Sequence, residues 1–230
     1  FKNIKCILFD MDGTVLDSET LFDKAQLLVL KEYGINASNN DLKEFKGLSY
    51  KHFYPYFIEK FDLNADICSL RKLMRKFLHD AMKCNLSFID GFEDFYEEFV
   101  KSKNLKVALV TNTTRATFKK IQNYINIDDY FSYVITSTDC VNPKPSPEPY
   151  IQAMKHFRVE PSQTIIFEDS ETGLLSAVRS KAKVVGIATT LDKKKMLDID
   201  SEIISISGYK EFSRIYSDFL INNCWFILMK

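Results

Sequence analysis

Five short strand-like runs, each followed by a stretch with helical spacing, restrict this 230-residue chain to few architectures. They are Ile4–Phe9 (IKCILF), Leu105–Val110 (LKVALV), Tyr133–Thr136, Thr164–Phe167 (TIIF) and Lys183–Ile187 (KVVGI). Helical patterns occupy Phe92–Lys101, Arg115–Tyr124, Pro147–Phe157 with proline in its first turn, Ser170–Ser180 and Tyr209–Ile221. Alternation of this kind predicts a parallel sheet with helices on both faces. After the first run the pattern changes. Leu21–Tyr33 and Leu70–Lys83 read as long helices, with Leu27, Leu30, Leu70, Leu73, Phe77 and Met82 near helical spacing and little strand signal between them. The expected fold is α/β, a Rossmann-like core of residues 1–17 and 88–230 interrupted by an all-helical domain at 18–87.

Composition excludes several function classes. Thirty-one basic residues balance 31 acidic ones, so net charge offers no argument for nucleic-acid or membrane-surface partners. The longest apolar run, Cys224–Met229, is far short of the roughly 20 residues of a membrane span and reads as a docked tail. Five cysteines, an odd number with no CxxC pair, argue against a disulfide framework or thiolate zinc. Free, mostly buried thiols in a reducing, cytoplasmic setting are expected, and the N-terminus carries no signal-peptide pattern.

The chemistry gathers where the strands end. Ligands of open parallel sheets bind beyond the carboxyl ends of the strands. Asp10-Met11-Asp12-Gly13-Thr14 follows the first run, Thr111-Asn112 the second, a loop with Lys144 the third, and Glu168-Asp169-Ser170 the fourth. Each fragment alone has a plainer reading as a turn, a helix cap or a solvated lysine. Four of them in order after four strands make one polar site. Two nearby carboxylates can divide labour, one ionised and one holding a proton. Asp169 with Asp10 suits a hard divalent cation held by oxygen, better Mg²⁺ than zinc. Lys144 supplies a point charge for phosphate, and Thr111-Asn112 precede a helix N-terminus suited to anions.

Those segments resemble the haloacid dehalogenase-like hydrolase superfamily. The motifs are FDMDGTVLDSE (Phe9–Glu19), VTN (Val110–Asn112), NPKPSPEPY (Asn142–Tyr150) and FEDSETG (Phe167–Gly173), in family order. The helical insert resembles the cap domain of its phosphoglycolate phosphatase and β-phosphoglucomutase-like branch. The resemblance implies a Mg²⁺-dependent phosphatase of a small-molecule phosphate ester, acting as a monomer or homodimer. Asp10 would be the nucleophile that forms an aspartyl-phosphate, and Asp12 the acid and then the base. Mg²⁺ would sit among Asp10, the Asp12 carbonyl and Asp169, with Glu168 beside it; Thr111, Asn112 and Lys144 would grip the phosphoryl oxygens.

The alternative within this branch is a β-phosphoglucomutase. The cap histidine and arginine of mutases align with Phe22 and Tyr50 here, which favours hydrolysis. Lys46-Gly47-Leu48-Ser49 resembles a cap loop that faces the site in relatives. Phe53, Tyr54, Tyr56 and Phe57 are expected in the core of the cap, and Lys193-Lys194-Lys195 on a solvated face.

Overall fold

The computed structural model describes residues 3–45 and 50–215. The Lys46–Ser49 loop, the Tyr50 and Lys51 side chains, the end of the last expected helix and the Cys224–Met229 tail lie outside the described residues.

Six parallel strands form one sheet: β1 (Cys6–Phe9), β2 (Lys106–Val110), β3 (Tyr133–Ile135), β4 (Thr164–Glu168), β5 (Lys183–Ile187) and β6 (Ile204–Ile206), ordered β3-β2-β1-β4-β5-β6. Five follow the expected runs. The sixth is a three-residue edge strand, too short to leave a period. The order in which strands are laid down reverses at β1, which pairs with β2 at Phe9–Leu109 and with β4 at Phe9–Phe167. The crevice at such a reversal is where open sheets of this kind bind ligands.

Alternation along the strands builds two cores. Ile7, Phe9, Leu109, Ile165, Phe167 and Val185 face one layer, and Cys6, Leu8, Ala108, Val110, Ile166 and Val184 the other. The first layer holds α4 (Phe92–Phe95), which continues as a π-helical turn over Tyr96–Lys101, α5 (Arg115–Ile121) and the helix over 209–215. The second holds α6 (Glu148–Phe157), α7 (Glu171–Arg179) and α8 (Lys193–Ile199). Lys193-Lys194-Lys195 therefore opens a short helix, capped by the Asp192 side chain. The first layer is aromatic: Phe9 stacks on Phe167 at 5.2 Å and meets Phe92 and Phe131 edge-on at 5.7 and 5.9 Å.

Between β1 and β2, α1 (Glu19–Glu32), a 3₁₀ turn (Asn39–Phe45), α2 (Tyr50–Lys60) and α3 (Ile67–Asn85) enclose a separate apolar cluster. Phe53, Tyr54 and Phe57 are buried in it as expected; Tyr56 sits at its edge and donates to Glu44. The chain leaves and re-enters the sheet layer side by side. Asp17 N–H donates to Ser87 O and Ile89 N–H to Val15 O, both at 2.9 Å, so the two crossings form a short antiparallel ladder. A second tie joins the layers away from that ladder, where Tyr124 OH meets His79 Nδ1 of α3 at 2.9 Å.

The thiols depart from expectation. Cys6 is buried and Cys140 half-buried, but Cys68 and Cys84 are exposed on α3. Their positions fall on the polar face of an amphipathic helix whose buried residues are Leu70, Met74 and Met82. No helix among the described residues is long and apolar enough to cross a membrane.

Phe9 has no exposed surface and sits at the centre of the aromatic layer. Phe9→Ala is expected to cost about 3–5 kcal/mol. Val141→Ser, at a residue 87% exposed, should stay within about 0.5 kcal/mol of the parent. Urea unfolding midpoints of the two variants check this contrast.

Candidate active site

Asp10 is the first residue beyond β1, and its N–H is held by Phe167 O at 3.0 Å. Its carboxylate meets Lys144, which arrives from the loop after β3. The Lys144 ammonium is buried and spends its three donors on Asp10 Oδ1 at 2.5 Å, Glu168 Oε1 at 2.6 Å and Val110 O at 2.7 Å. It also lies 5.0 Å from the centre of the Tyr150 ring. β1, β2 and β4 are adjacent, so one ammonium can reach groups from the ends of all three.

Glu168 has no exposed surface. Oε1 accepts from Tyr150 OH at 2.8 Å as well as from Lys144; Oε2 accepts from Asp169 N–H at 3.1 Å and the Ser170 hydroxyl at 3.3 Å. Five donors crowd this carboxylate once Ser170 N–H is counted. Its bed is Gly173, where a Cβ would stand 1.9 Å from Oε1. Asp169, also buried, takes neutral donors among the described residues: Thr14 Oγ1 on Oδ1 at 3.2 Å, and Thr190 Oγ1 on Oδ2. Gly13, at φ +77°, lies against it, and a Cβ there would fall 2.1 Å from Asp169 Oδ2.

Asp12 is half-buried and stands apart from those acids. Ser18 donates to its Oδ1 at 2.7 Å and Thr113 to its Oδ2 at 3.1 Å. Thr111 is buried, and its hydroxyl accepts from Thr113 N–H at 3.0 Å, leaving the hydroxyl proton to donate. The Asn112 side chain turns to the Lys144 loop. Its amide bonds both polar groups of the Lys144 backbone, Nδ2 to O and N–H to Oδ1, each at 3.1 Å. It therefore fixes the lysine loop, and its backbone N–H is not used in that contact.

The structure thus draws Asp10, Lys144, Glu168 and Asp169 into one buried cluster, with Asp12 and Thr111 beside it and the Asn112 side chain behind it. Sequence reasoning missed Thr14, Ser18, Thr113, Tyr150 and Thr190. Thr14, Thr113 and Tyr150 lie inside or next to the motifs. Thr190 follows β5, outside the four motifs.

The cluster holds three buried carboxyls and one ammonium, so with every acid ionised it would carry excess negative charge. Ligand oxygens of Asp10, Glu168 and Asp169 lie within 4.8 Å of one another. A compact all-oxygen set with surplus charge fits a hard divalent cation such as Mg²⁺. Burial, joined by the neighbouring acids, also raises the carboxyls. Burial is the largest cause pushing the Asp10 carboxyl up from 3.8 to about 8; Lys144 opposes it, and Glu168 and Asp12 add to it. Burial, then Asp10 and Glu168, hold Asp169 well above the carboxylate range. Burial also raises Asp12, against the hydrogen bonds from Ser18 and Thr113. Burial disfavours the charged Lys144, but Asp10 and Glu168 outweigh it and raise that group.

Comparison with known proteins agrees with this geometry. A family model described as haloacid dehalogenase-like hydrolase matches residues 7–187. The chain is 26% identical over 218 residues to the pyrophosphatase PpaX of Oceanobacillus iheyensis, covering 94% of this chain and 98% of that one. It is 25% identical over 199 residues to a phosphorylated carbohydrates phosphatase of Thermotoga maritima, covering 84% and 90%. The crystal structure of a conserved haloacid dehalogenase-like protein of Agrobacterium tumefaciens superposes with a TM-score of 0.80 at 20% identity, covering 94% of this chain and 99% of that one.

A carboxyl that binds its proton more tightly when folded stabilises the fold below its unfolded value and loses that contribution as pH rises through its folded value. For Asp10 that window runs from about 4 to about 8. Asp12 and Asp169 act with the same sign. In EDTA the melting temperature should therefore fall across this window, and Mg²⁺ should offset much of the fall. A melting temperature that is flat or rises from pH 4 to pH 8 in EDTA contradicts the reading.

Proposed function

This chain belongs to the haloacid dehalogenase-like hydrolase family, and from that premise we infer that it is a Mg²⁺-dependent phosphatase of small phosphate esters. The observation that carries the reading is the buried lysine joining Asp10 to Glu168 at the strand ends, with Asp169 alongside. Such a site can attract and neutralise a phosphoryl group. Relatives named as phosphatases of pyrophosphate and of phosphorylated carbohydrates support a small polar substrate.

Asp10 Oδ2 receives no hydrogen bond from the described residues, while Oδ1 is held by Lys144. The free oxygen is the nucleophile. It bonds to phosphorus as the bond from phosphorus to the leaving oxygen breaks, giving an aspartyl-phosphate on Asp10. Asp12, with its proton retained by burial, passes it to the leaving alcohol. The Asp12 carboxylate then takes a proton from water. That water attacks phosphorus, releases inorganic phosphate and restores Asp10. Thr111 Oγ1, the Asn112 N–H and Lys144 donate to the phosphoryl oxygens. Asp10, Asp169 and the Asp12 carbonyl, with Glu168 alongside, would hold Mg²⁺, which would supply charge neutralisation.

Residues 18–87 act as a cap over the core of 1–17 and 88–230, and the ladder at Val15–Asp17 and Ser87–Ile89 is the place where they pivot. Closure excludes water from the intermediate until the leaving alcohol has gone. Phe22, at the position aligned with a mutase histidine, packs on Phe53 at 5.4 Å and offers no proton or charge. That supports hydrolysis over transfer between sugar positions.

The test is inorganic phosphate release from a panel of phosphorylated carbohydrates, phosphoglycolate, nucleoside monophosphates and pyrophosphate, with and without Mg²⁺. Metal-dependent release is expected. Conversion of β-glucose 1-phosphate to glucose 6-phosphate without release, given glucose 1,6-bisphosphate, would establish the mutase instead.

Asp10→Asn should lower kcat by at least about 10³-fold. Asp12→Asn should lower it by about 10²–10⁴-fold and remove the limb of the pH profile assigned to its proton. Single-turnover phosphate release measures both, and near-normal rates in either variant refute its role.

A further inference from the structure

The acids of the cluster are held in two different ways. Asp10 and Glu168 are both bonded to the Lys144 ammonium, which offsets their charge. Among the described residues Asp169 is held by hydroxyls, Thr14 on one oxygen and Thr190 on the other. A hydroxyl fixes a carboxylate through a hydrogen bond without cancelling its charge. The two hydroxyls therefore set the orientation of the Asp169 carboxyl without placing a positive charge beside it.

Thr190 reaches Asp169 because β4 and β5 are in register, with Glu168 opposite Gly186. The chain after β5 thus leaves the sheet beside Asp169. This loop is tied down independently: Ala188 N–H donates to Ile206 O at 2.8 Å, and Thr189 Oγ1 to Gly13 O at 2.6 Å. The second tie also locks the Thr190 loop to the DMDG turn, where the absent side chain of Gly13 leaves the Asp169 carboxylate its place.

We propose that Thr190 is a positioning residue for the divalent cation, its hydroxyl holding Asp169 in the orientation in which the carboxylate meets the ion. The inference rests on the reading of Asp10 and Asp169 as Mg²⁺ ligands. Hydrogen-bond partners of metal-bound carboxylates typically account for about 10- to 100-fold in metal affinity. Thr14, on the other oxygen, belongs to the same clamp.

The experiment is calorimetric titration of the whole chain with Mg²⁺ alone, without substrate. Thr190→Val keeps the shape and removes the hydroxyl; it should weaken Mg²⁺ binding about 10-fold or more. Thr190→Ser keeps a hydroxyl and should restore binding. Melting temperatures in EDTA separate a general loss of fold from loss of the clamp. Should the valine fail to fold, Thr190→Ala takes its place with the same expectation. Valine or alanine binding Mg²⁺ as tightly as the parent overturns the proposal, and so does a serine variant as weak as the valine. A parent chain that takes up no Mg²⁺ overturns the metal reading itself, a result distinct from either.

Discussion

The ammonium of Lys144 is out of water, with each of its three donors on an oxygen from a different strand end. A buried charge survives only when its partners are complete, because the desolvation cost otherwise exceeds what a single contact returns. The rest of the structure is arranged to complete them. β1 delivers Asp10, β2 the Val110 carbonyl, and β4 Glu168; their adjacency in the sheet sets the three oxygens at one point. Asn112 fixes the lysine's backbone from below, and Tyr150 flanks its head and shares Glu168.

The same arrangement leaves a charge unbalanced. Three carboxylates surround one cation, and neither Thr14 nor Thr190 adds a positive charge. A protein can hold such a set by protonating it or by binding a metal ion. The raised Asp10 carboxyl is the expression of the first outcome, and a divalent cation the remedy under the proposed function. Close packing makes the geometry exacting. Gly13 and Gly173 leave room for one acid each, so a methyl group at either position would collide with a carboxylate oxygen.

The helical insert answers a different need. It encloses its own apolar cluster and meets the sheet layer through a short ladder of backbone hydrogen bonds, the contact of His79 with Tyr124, and the packing of Leu21 and Met82 into the core around Phe9. Under the proposed hydrolysis, where water must be kept out and then admitted, a unit with most of its apolar residues in its own core has only a small shared apolar contact to rearrange. Ser18, which holds Asp12, stands at the start of this insert, so the linker that carries the cap also touches the residue assigned the proton transfers.

Much of the site was legible because its residues lie where local rules operate. Asp10, Thr111, Glu168 and Asp169 directly follow or end strands whose apolar pattern is plain, and Lys144 lies in a recognisable loop. The helical character of the insert and the aromatic core around Phe53 and Phe57 were legible for the same reason: side-chain period reports which face is buried. Pairings were not legible. Asn112 reads as a phosphate ligand in the sequence yet spends its side chain on the Lys144 backbone 32 residues on. Thr190 meets Asp169 across 21 residues, Lys144 meets Asp10 across 134 and Thr189 meets Gly13 across 176. Cys68 and Cys84 turn to the surface because the helix that carries them has another face to bury. The sequence by itself determined which residues stand at the strand ends, since strand and helix periods are local properties of the chain. Only the tertiary structure decided which of them share a proton, a charge or a hydrogen bond, because that depends on strand order and register, and these leave no period behind.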